Sequence, residues 1–172
     1  LPNARYARDD APPDPTCVIS VGRTMDALAD LERCAEDGQG IGLLTAPAGL
    51  GKTVLCRKLA ERLRDQFAVV FLANANFPTR RSLLQAILYE MGHPYLRLGE
   101  QELRLELTTA VRDLFPDRFG LVLIVDEAHL LHNRLLEELR TATHLVQGDE
   151  TLVRLILSGQ LELEERLASS QF

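Results

Sequence analysis

The chain has no basic excess, few cysteines and no hydrophobic run long enough to cross a membrane. Nineteen Lys and Arg stand against 25 Asp and Glu, a formal charge of −6. That balance excludes a surface that is basic all over, as a general nucleic-acid binder would carry, and leaves room only for a local basic patch. The three cysteines, Cys17, Cys34 and Cys56, lie far apart without a CxxC pair. This argues against a zinc cluster or redox dithiol and reads as reduced thiols in a cytoplasmic protein. The longest aliphatic run, Leu121–Val125, falls far short of the roughly 20 residues of a membrane helix. Leu1–Thr16 is charged and proline-rich without an apolar centre, unlike a secretory signal peptide. It reads as a flexible lead-in, and the initial Leu1 in place of Met reads as a piece of a longer protein. His93, His132 and His144 show no ligand spacing, and His129 reads as a helix-start residue. No Asn-Lys-x-Asp stretch of the guanine-reading kind occurs.

What remains is enough for one core-bearing domain: 172 residues, 46% of them hydrophobic, within the size range of a single domain. Four short apolar runs read as buried strands: Ile41–Ala46, Phe67–Ala73, Phe119–Val125 and Leu152–Leu157. Between them lie amphipathic patterns with the spacing of helices. These cover Val21–Cys34, Val54–Gln66, Pro78–Met91, Glu100–Leu114, Leu131–Val146 and a start at Leu161. Strands apolar on both faces and alternating with helices predict an α/β fold, a parallel sheet flanked by helices on both faces.

One loop carries the chemistry. Gly49-Leu50-Gly51-Lys52-Thr53 sits between the first of these strands and a helix, the context of the P-loop pattern G-x-x-x-x-G-K-[ST]. The pattern's first glycine falls on Ala46, a departure at the strand end. Such loops are glycine-rich because phosphate packs against inward-turned backbone amides and some positions need positive φ. The following helix directs its N-terminal amides at the anion. The expected phosphate cradle is Ala46, Pro47, Ala48, Gly49, Leu50, Gly51, Lys52, Thr53 and Val54. Lys52 would reach the β- and γ-phosphates and Thr53 would place its hydroxyl on Mg²⁺.

A second motif lies on the strand Leu121–Val125, which ends in Asp126-Glu127. Two carboxylates at the carboxyl end of a buried parallel strand stand at the ligand crevice of an α/β sheet. Asp126 would hold Mg²⁺ with Thr53, and Glu127 would orient the water or take its proton. Ser158 and Gln160, at and beyond the end of the last strand, are both candidates for a sensor of the γ-phosphate. Position alone does not separate them. Arg80, Arg81 and Arg166 are weaker candidates for phosphate or partner contacts, and Cys56 reads as packing. Val18–Arg23 is placed to cover a base.

Asp126–His129 spells the DEAH box of helicases, but Leu157-Ser158-Gly159-Gln160 is not their Ser-Ala-Thr-type motif and the length leaves no room for their second domain. Residues 18–172 instead resemble AAA+ P-loop ATPases, and within them those of the general secretion pathway protein A type. The likeness rests on Gly49–Thr53, on Asp126–Leu131, on Leu136–Arg140 (Leu-Glu-Glu-Leu-Arg), and on Gly159–Leu163 with Arg166-Leu167. Transposition helper ATPases are similar over much of the same pattern. The resemblance implies a sheet order 5-1-4-3-2 with four strands supplied here, and an end before the fifth strand and the helical lid. It implies ATP and Mg²⁺ as cofactors, and hydrolysis that energises or switches assembly of a membrane secretion system. It also implies a homo-oligomer or a membrane-associated protein partner, at the cytoplasmic face of the inner membrane. The transposition likeness implies DNA as partner instead, and a slow nucleotide-dependent switch is a third reading.

Overall fold

The computed structural model describes residues 16–20, 24–38, 41–115 and 117–169. Of the expected lead-in over residues 1–16, residues 1–15 lie outside them and Thr16 belongs to a strand. In chain order the elements are β1 (Thr16–Ser20), α1 (Thr24–Asp37), β2 (Ile41–Thr45), α2 (Lys52–Leu63), β3 (Ala68–Leu72), α3 (Arg80–Glu90) and α4 (Glu100–Arg112). There follow β4 (Leu121–Val125), a 3₁₀ turn (Ala128–Leu130), α5 (Asn133–Ala142), β5 (Val146–Gln147), β6 (Glu150–Thr151), β7 (Val153–Gly159) and α6 (Leu161–Ser169). Among the described residues no helix is long and apolar enough to cross a membrane.

Five parallel strands form the central sheet in the order β1-β2-β7-β4-β3. The four expected strands hold their expected relative order, with β2, which leads into the P-loop, beside β7. A further strand, not foreseen from the sequence, joins these four: β1 pairs with β2 in register Val18↔Leu43 at the edge of the sheet. Of the segment Val18–Arg23, placed to cover a base, Val18–Ser20 belong to β1 and residues 21–23 lie outside the described set. Five residues paired on one side only give little apolar signal, which is why the sequence does not announce this strand.

Side-chain alternation along each strand sorts the core into two layers. Leu121, Leu123 and Val125 of β4, with Leu155 and Leu157 of β7, face α3–α6. Val122, Ile124 and Ile156 face α1 and α2, packing among Leu31, Leu55 and Leu59. Every residue of β4 is buried, and at about 1.5–3 kcal/mol for each large side chain removed from water this strand is the anchor of the sheet.

The helix expected over Leu131–Val146 is shorter at both ends. His132 is extended and caps α5 without a side-chain bond. At the other end the Leu152 amide donates to the Leu145 carbonyl at 2.8 Å, opening a two-residue hairpin across β5 and β6. Leu145 packs on the core from that hairpin rather than from a helix, so its apolar character is explained without helical periodicity.

A buried cation joins three segments at the amino end of β7. The Arg154 Nε donates to the Ala35 carbonyl at 2.6 Å, and Nη1 donates to Phe119 and Thr151 at 2.8 and 2.7 Å. Its guanidinium lies 4.7 Å from the centre of the Phe67 ring, and burial pulls its pKa below the ordinary arginine range. Arg154→Ala should cost about 2–4 kcal/mol, because three carbonyls lose their donor at once. Arg154→Lys should recover little of it, since an ammonium lacks the planar fork. Urea denaturation checks this, and a loss under 1 kcal/mol for the alanine variant would contradict it.

Candidate functional site

β2 ends at Thr45, and the loop 46–51 turns the chain into α2 at the carboxyl edge of the sheet. Two loop residues need the left-handed region, Gly49 at φ 82° and Gly51 at φ 78°, which explains glycine at these places. A Cβ at either would meet no atom within 4 Å, so the loop faces open space. Gly51 caps α2 with no side-chain acceptor, and the first amides of a helix have no partner within it. The geometry is that of an anion cradle. Ala46 is an exception among the expected cradle residues: its amide donates to Gly159 across the sheet at 3.2 Å, so it has no N–H to offer a ligand. Leu50 and Val54 are exposed beside the cradle.

The Lys52 side chain is buried. Its ammonium donates to the Ala46 carbonyl at 3.0 Å and the Pro47 carbonyl at 3.1 Å, folding back over the loop. One residue on, Thr53 Oγ1 donates to Asp126 Oδ2 at 2.5 Å across 73 positions of chain. Asp126 is buried at the end of β4. Its Oδ1 accepts from Ser158 Oγ at 2.8 Å and from the Glu127 amide at 2.9 Å. These contacts fix the carboxylate with one oxygen toward α2 and the other toward β7.

A hydroxyl and a carboxylate, both hard oxygen donors, are the chemistry that suits Mg²⁺. Among the described residues no cluster of three or more His, Cys, Asp or Glu could hold a metal. Thr53 and Asp126 are the residues that would hold such an ion. Such an ion, when bound, supplies positive charge against a phosphate chain.

Ser158 and Gln160 occupy different surroundings. Ser158 is fully buried and its hydroxyl is committed to Asp126. Gln160 lies one residue beyond β7, and its amide is 3.3 Å from His129 Nε2. Glu127, half-exposed, adopts the left-handed region at φ 54° and ψ 32°, a strain of about 1–2 kcal/mol for a residue with a side chain. Its Oε2 lies 3.5 Å from His129 Nε2.

Two residues that carry no site signal in the sequence belong to the same constellation. Cys56 is fully buried one turn into α2. Burial, with a smaller push from the Asp126 charge, raises its thiol to about 12, against the opposing effects of Ser158 and Lys52. It is a neutral, inert group. His129, which lacks metal-ligand spacing, contacts both Glu127 and Gln160. Its adjacency to the acidic pair is the one hint the sequence offers.

Arg166 stands apart from the cradle: Nη1 donates to the His129 carbonyl at 2.7 Å, and Nη2 donates to the Leu131 carbonyl at 2.6 Å and Asn133 Oδ1 at 2.7 Å. It lines a cleft of about 730 Å³ together with Arg80, Arg134, Thr79, Glu100 and His132. Arg80 there lies 3.5 Å from Glu138, and Arg81 is exposed on α3.

Comparison with known proteins agrees with this construction. The family model described as AAA domain matches residues 35–167. General secretion pathway protein A of Aeromonas hydrophila is 33% identical over 159 residues, covering 90% of this chain; the chain spans 28% of that protein's length. Two solved structures share the fold. The Aeropyrum pernix ORC2 protein, in ADPNP–ADP complexes, has a TM-score of 0.64 and 15% identity, covering 93% of this chain and 46% of its own. The Aeropyrum pernix ORC1 protein in complex with DNA has a TM-score of 0.62 and 21% identity, covering 84% and 41%. By its parallel sheet, its glycine-bearing loop and the match over residues 35–167, this chain belongs to the AAA domain family of P-loop NTPases.

Proposed function

We propose that this chain binds MgATP on the loop 46–53 and hydrolyses it, and that the nucleotide state energises or switches assembly of a membrane secretion system. One observation carries the reading: Thr53 and Asp126, 73 positions apart, meet at 2.5 Å directly after a lysine that crowns an open amide cradle. In this reading the cradle amides and Lys52 hold the phosphates. Mg²⁺ on Thr53 and Asp126 offsets further charge, and Glu127 prepares the attacking water. Phosphoryl transfer depends mainly on positioning and electrostatics, which such a site supplies. Gln160 is better placed than Ser158 to sense the γ-phosphate, because the serine hydroxyl already serves Asp126. The secretion role rests on the 33% identity to general secretion pathway protein A.

Saturating MgATP should raise the melting temperature by about 5–10 °C at a hundredfold excess over Kd. Differential scanning calorimetry with and without MgATP tests this, and superimposable curves would refute the nucleotide reading.

A second reading, a DNA-associated helper ATPase, draws support from the cleft lined by Arg80, Arg134 and Arg166. It requires duplex binding that weakens with salt and is lost in Arg134→Glu. Fluorescence anisotropy at 50 mM salt decides it, and no binding there removes this reading.

A further inference from the structure

We propose that Arg166 is a positioning residue: from α6 it clamps the turn that follows Glu127, and so fixes where that carboxylate stands. The inference rests on the ATPase reading above and deepens its account of the same site. Glu127 leaves β4 in the left-handed region, at φ 54° and ψ 32°. Such a backbone persists in a residue with a side chain only where its surroundings over-determine it. On one side the Glu127 amide donates to Asp126 Oδ1 at 2.9 Å. On the other, the Leu130 amide donates to the Glu127 carbonyl at 2.9 Å and the Leu131 amide to the Ala128 carbonyl at 3.1 Å, which closes the 3₁₀ turn. Bonds of this kind have poor geometry, and one such turn is weak by itself.

Arg166 supplies the rest. Nη1 donates to the His129 carbonyl at 2.7 Å, and Nη2 donates to the Leu131 carbonyl at 2.6 Å and Asn133 Oδ1 at 2.7 Å. One rigid, planar cation thus spans three acceptors over residues 129–133, and fixes their spacing as well as pairing them. α6 is itself held in place. Leu163 and Leu167 are buried in the core beneath it. Thr45, fully buried at the end of β2, donates its hydroxyl to Glu164 Oε2 at 3.0 Å. Glu164 and Arg166 stand two positions apart, so they leave the helix on different sides. The first reaches the last residue of β2 before the phosphate loop, and the second reaches the turn behind Glu127. α6 is therefore a strut that sets the acid's place relative to the cradle. All these bonds lie within one chain, so Arg166 acts on its own Glu127 and not on the nucleotide of a neighbouring copy.

Arg166→Met tests this, because it keeps an apolar stem and deletes the donors. Hydrogen exchange followed by NMR should show the Leu130 and Leu131 amides exchanging at least about tenfold faster in the variant. The Leu55 amide, bonded to the Gly51 carbonyl in α2, should be unaltered. Unchanged exchange at Leu130 and Leu131 overturns the proposal. In steady-state hydrolysis by the full protein, Arg166→Met should lower kcat at least about tenfold with KM within about threefold, since a misplaced reacting group costs rate rather than binding. Arg166→Lys should recover part of that loss, because an ammonium can donate to these carbonyls without fixing their spacing. In a Glu127→Gln background, Arg166→Met should cost less than about twofold more, since residues acting as a unit are non-additive. Independent, multiplying losses overturn the proposal. Mixed Arg166→Met and Glu127→Gln chains should regain no turnover, and recovery would place the arginine on a neighbour's nucleotide and overturn it as well. Absence of any stabilisation of the native chain by MgATP would instead refute the ATPase reading, while the exchange rates would still decide whether Arg166 holds the turn.

Discussion

Lys52→Ala should weaken MgATP binding by at least about 100-fold, on the order of 3 kcal/mol, while the chain stays folded. The ammonium is buried and bonded to two loop carbonyls, those of Ala46 and Pro47. It is the one cation that the first turn of α2 delivers into the cradle. Charge-assisted bonds to phosphate are roughly twice as strong as neutral ones, and no other cationic side chain donates to the loop carbonyls among the described residues. Removing it leaves the triphosphate with the amides and the divalent ion alone. Pro47 is exposed, so its carbonyl can turn to water, and the fold should lose little. Isothermal titration calorimetry reads the change, and an unaltered Kd would mean that the loop does not hold phosphate.

Glu127→Gln should leave MgATP affinity within about threefold and lower turnover by about 10²–10⁴, the range for loss of a general base. The substitution is isosteric, and the side chain is half-exposed, 3.5 Å from His129. Its strained backbone is held by the hydrogen bond that the Glu127 backbone N–H donates to Asp126 Oδ1, which the glutamine variant keeps. Phosphate release by the full protein gives the turnover, and retained hydrolysis would reassign the base. Asp126→Asn is the contrasting case. It disturbs the hydroxyls of Thr53 and Ser158 together, so binding and fold should both suffer.

The difference between these two carboxylates is legible in the sequence only in part. Leu121–Val125 announces a buried strand because all five residues are apolar, and a parallel sheet places the residues after such a strand at the crevice. That puts Asp126 and Glu127 at the right edge, and Gly49–Thr53 opposite them. The partition of roles requires coordinates: Asp126 turns inward to α2 and β7, whereas Glu127 is swung toward His129 by its left-handed backbone. Ser158 and Gln160 are inseparable by position for the same reason. Residues two apart on a strand share a face, and only the end of β7 at Gly159 separates the enclosed Ser158 from Gln160 beyond it.

Other elements leave no pattern to read. Arg154 is a charged residue at the amino end of a buried strand, and its partners are the carbonyls of Ala35, Phe119 and Thr151. Backbone acceptors have no sequence signature. β1 is too short and one-sided to stand out, and the hairpin at 146–151 borrows Leu145 and Val146 from an apparent helical period. In each case tertiary pairing overrides the local signal.

The central claim is that backbone amides at the start of α2, an ammonium group and a divalent ion share one polyphosphate. A crystal structure of the chain grown with Mg²⁺ and a non-hydrolysable ATP analogue measures this directly. It should show the β- and γ-phosphates on the amides of residues 49–53, with Mg²⁺ between Thr53 and Asp126 and Lys52 swung from the Ala46 and Pro47 carbonyls to phosphate oxygen. Nucleotide seated instead in the cleft of Arg80, Arg134 and Arg166, with Lys52 still on those carbonyls, would contradict the account.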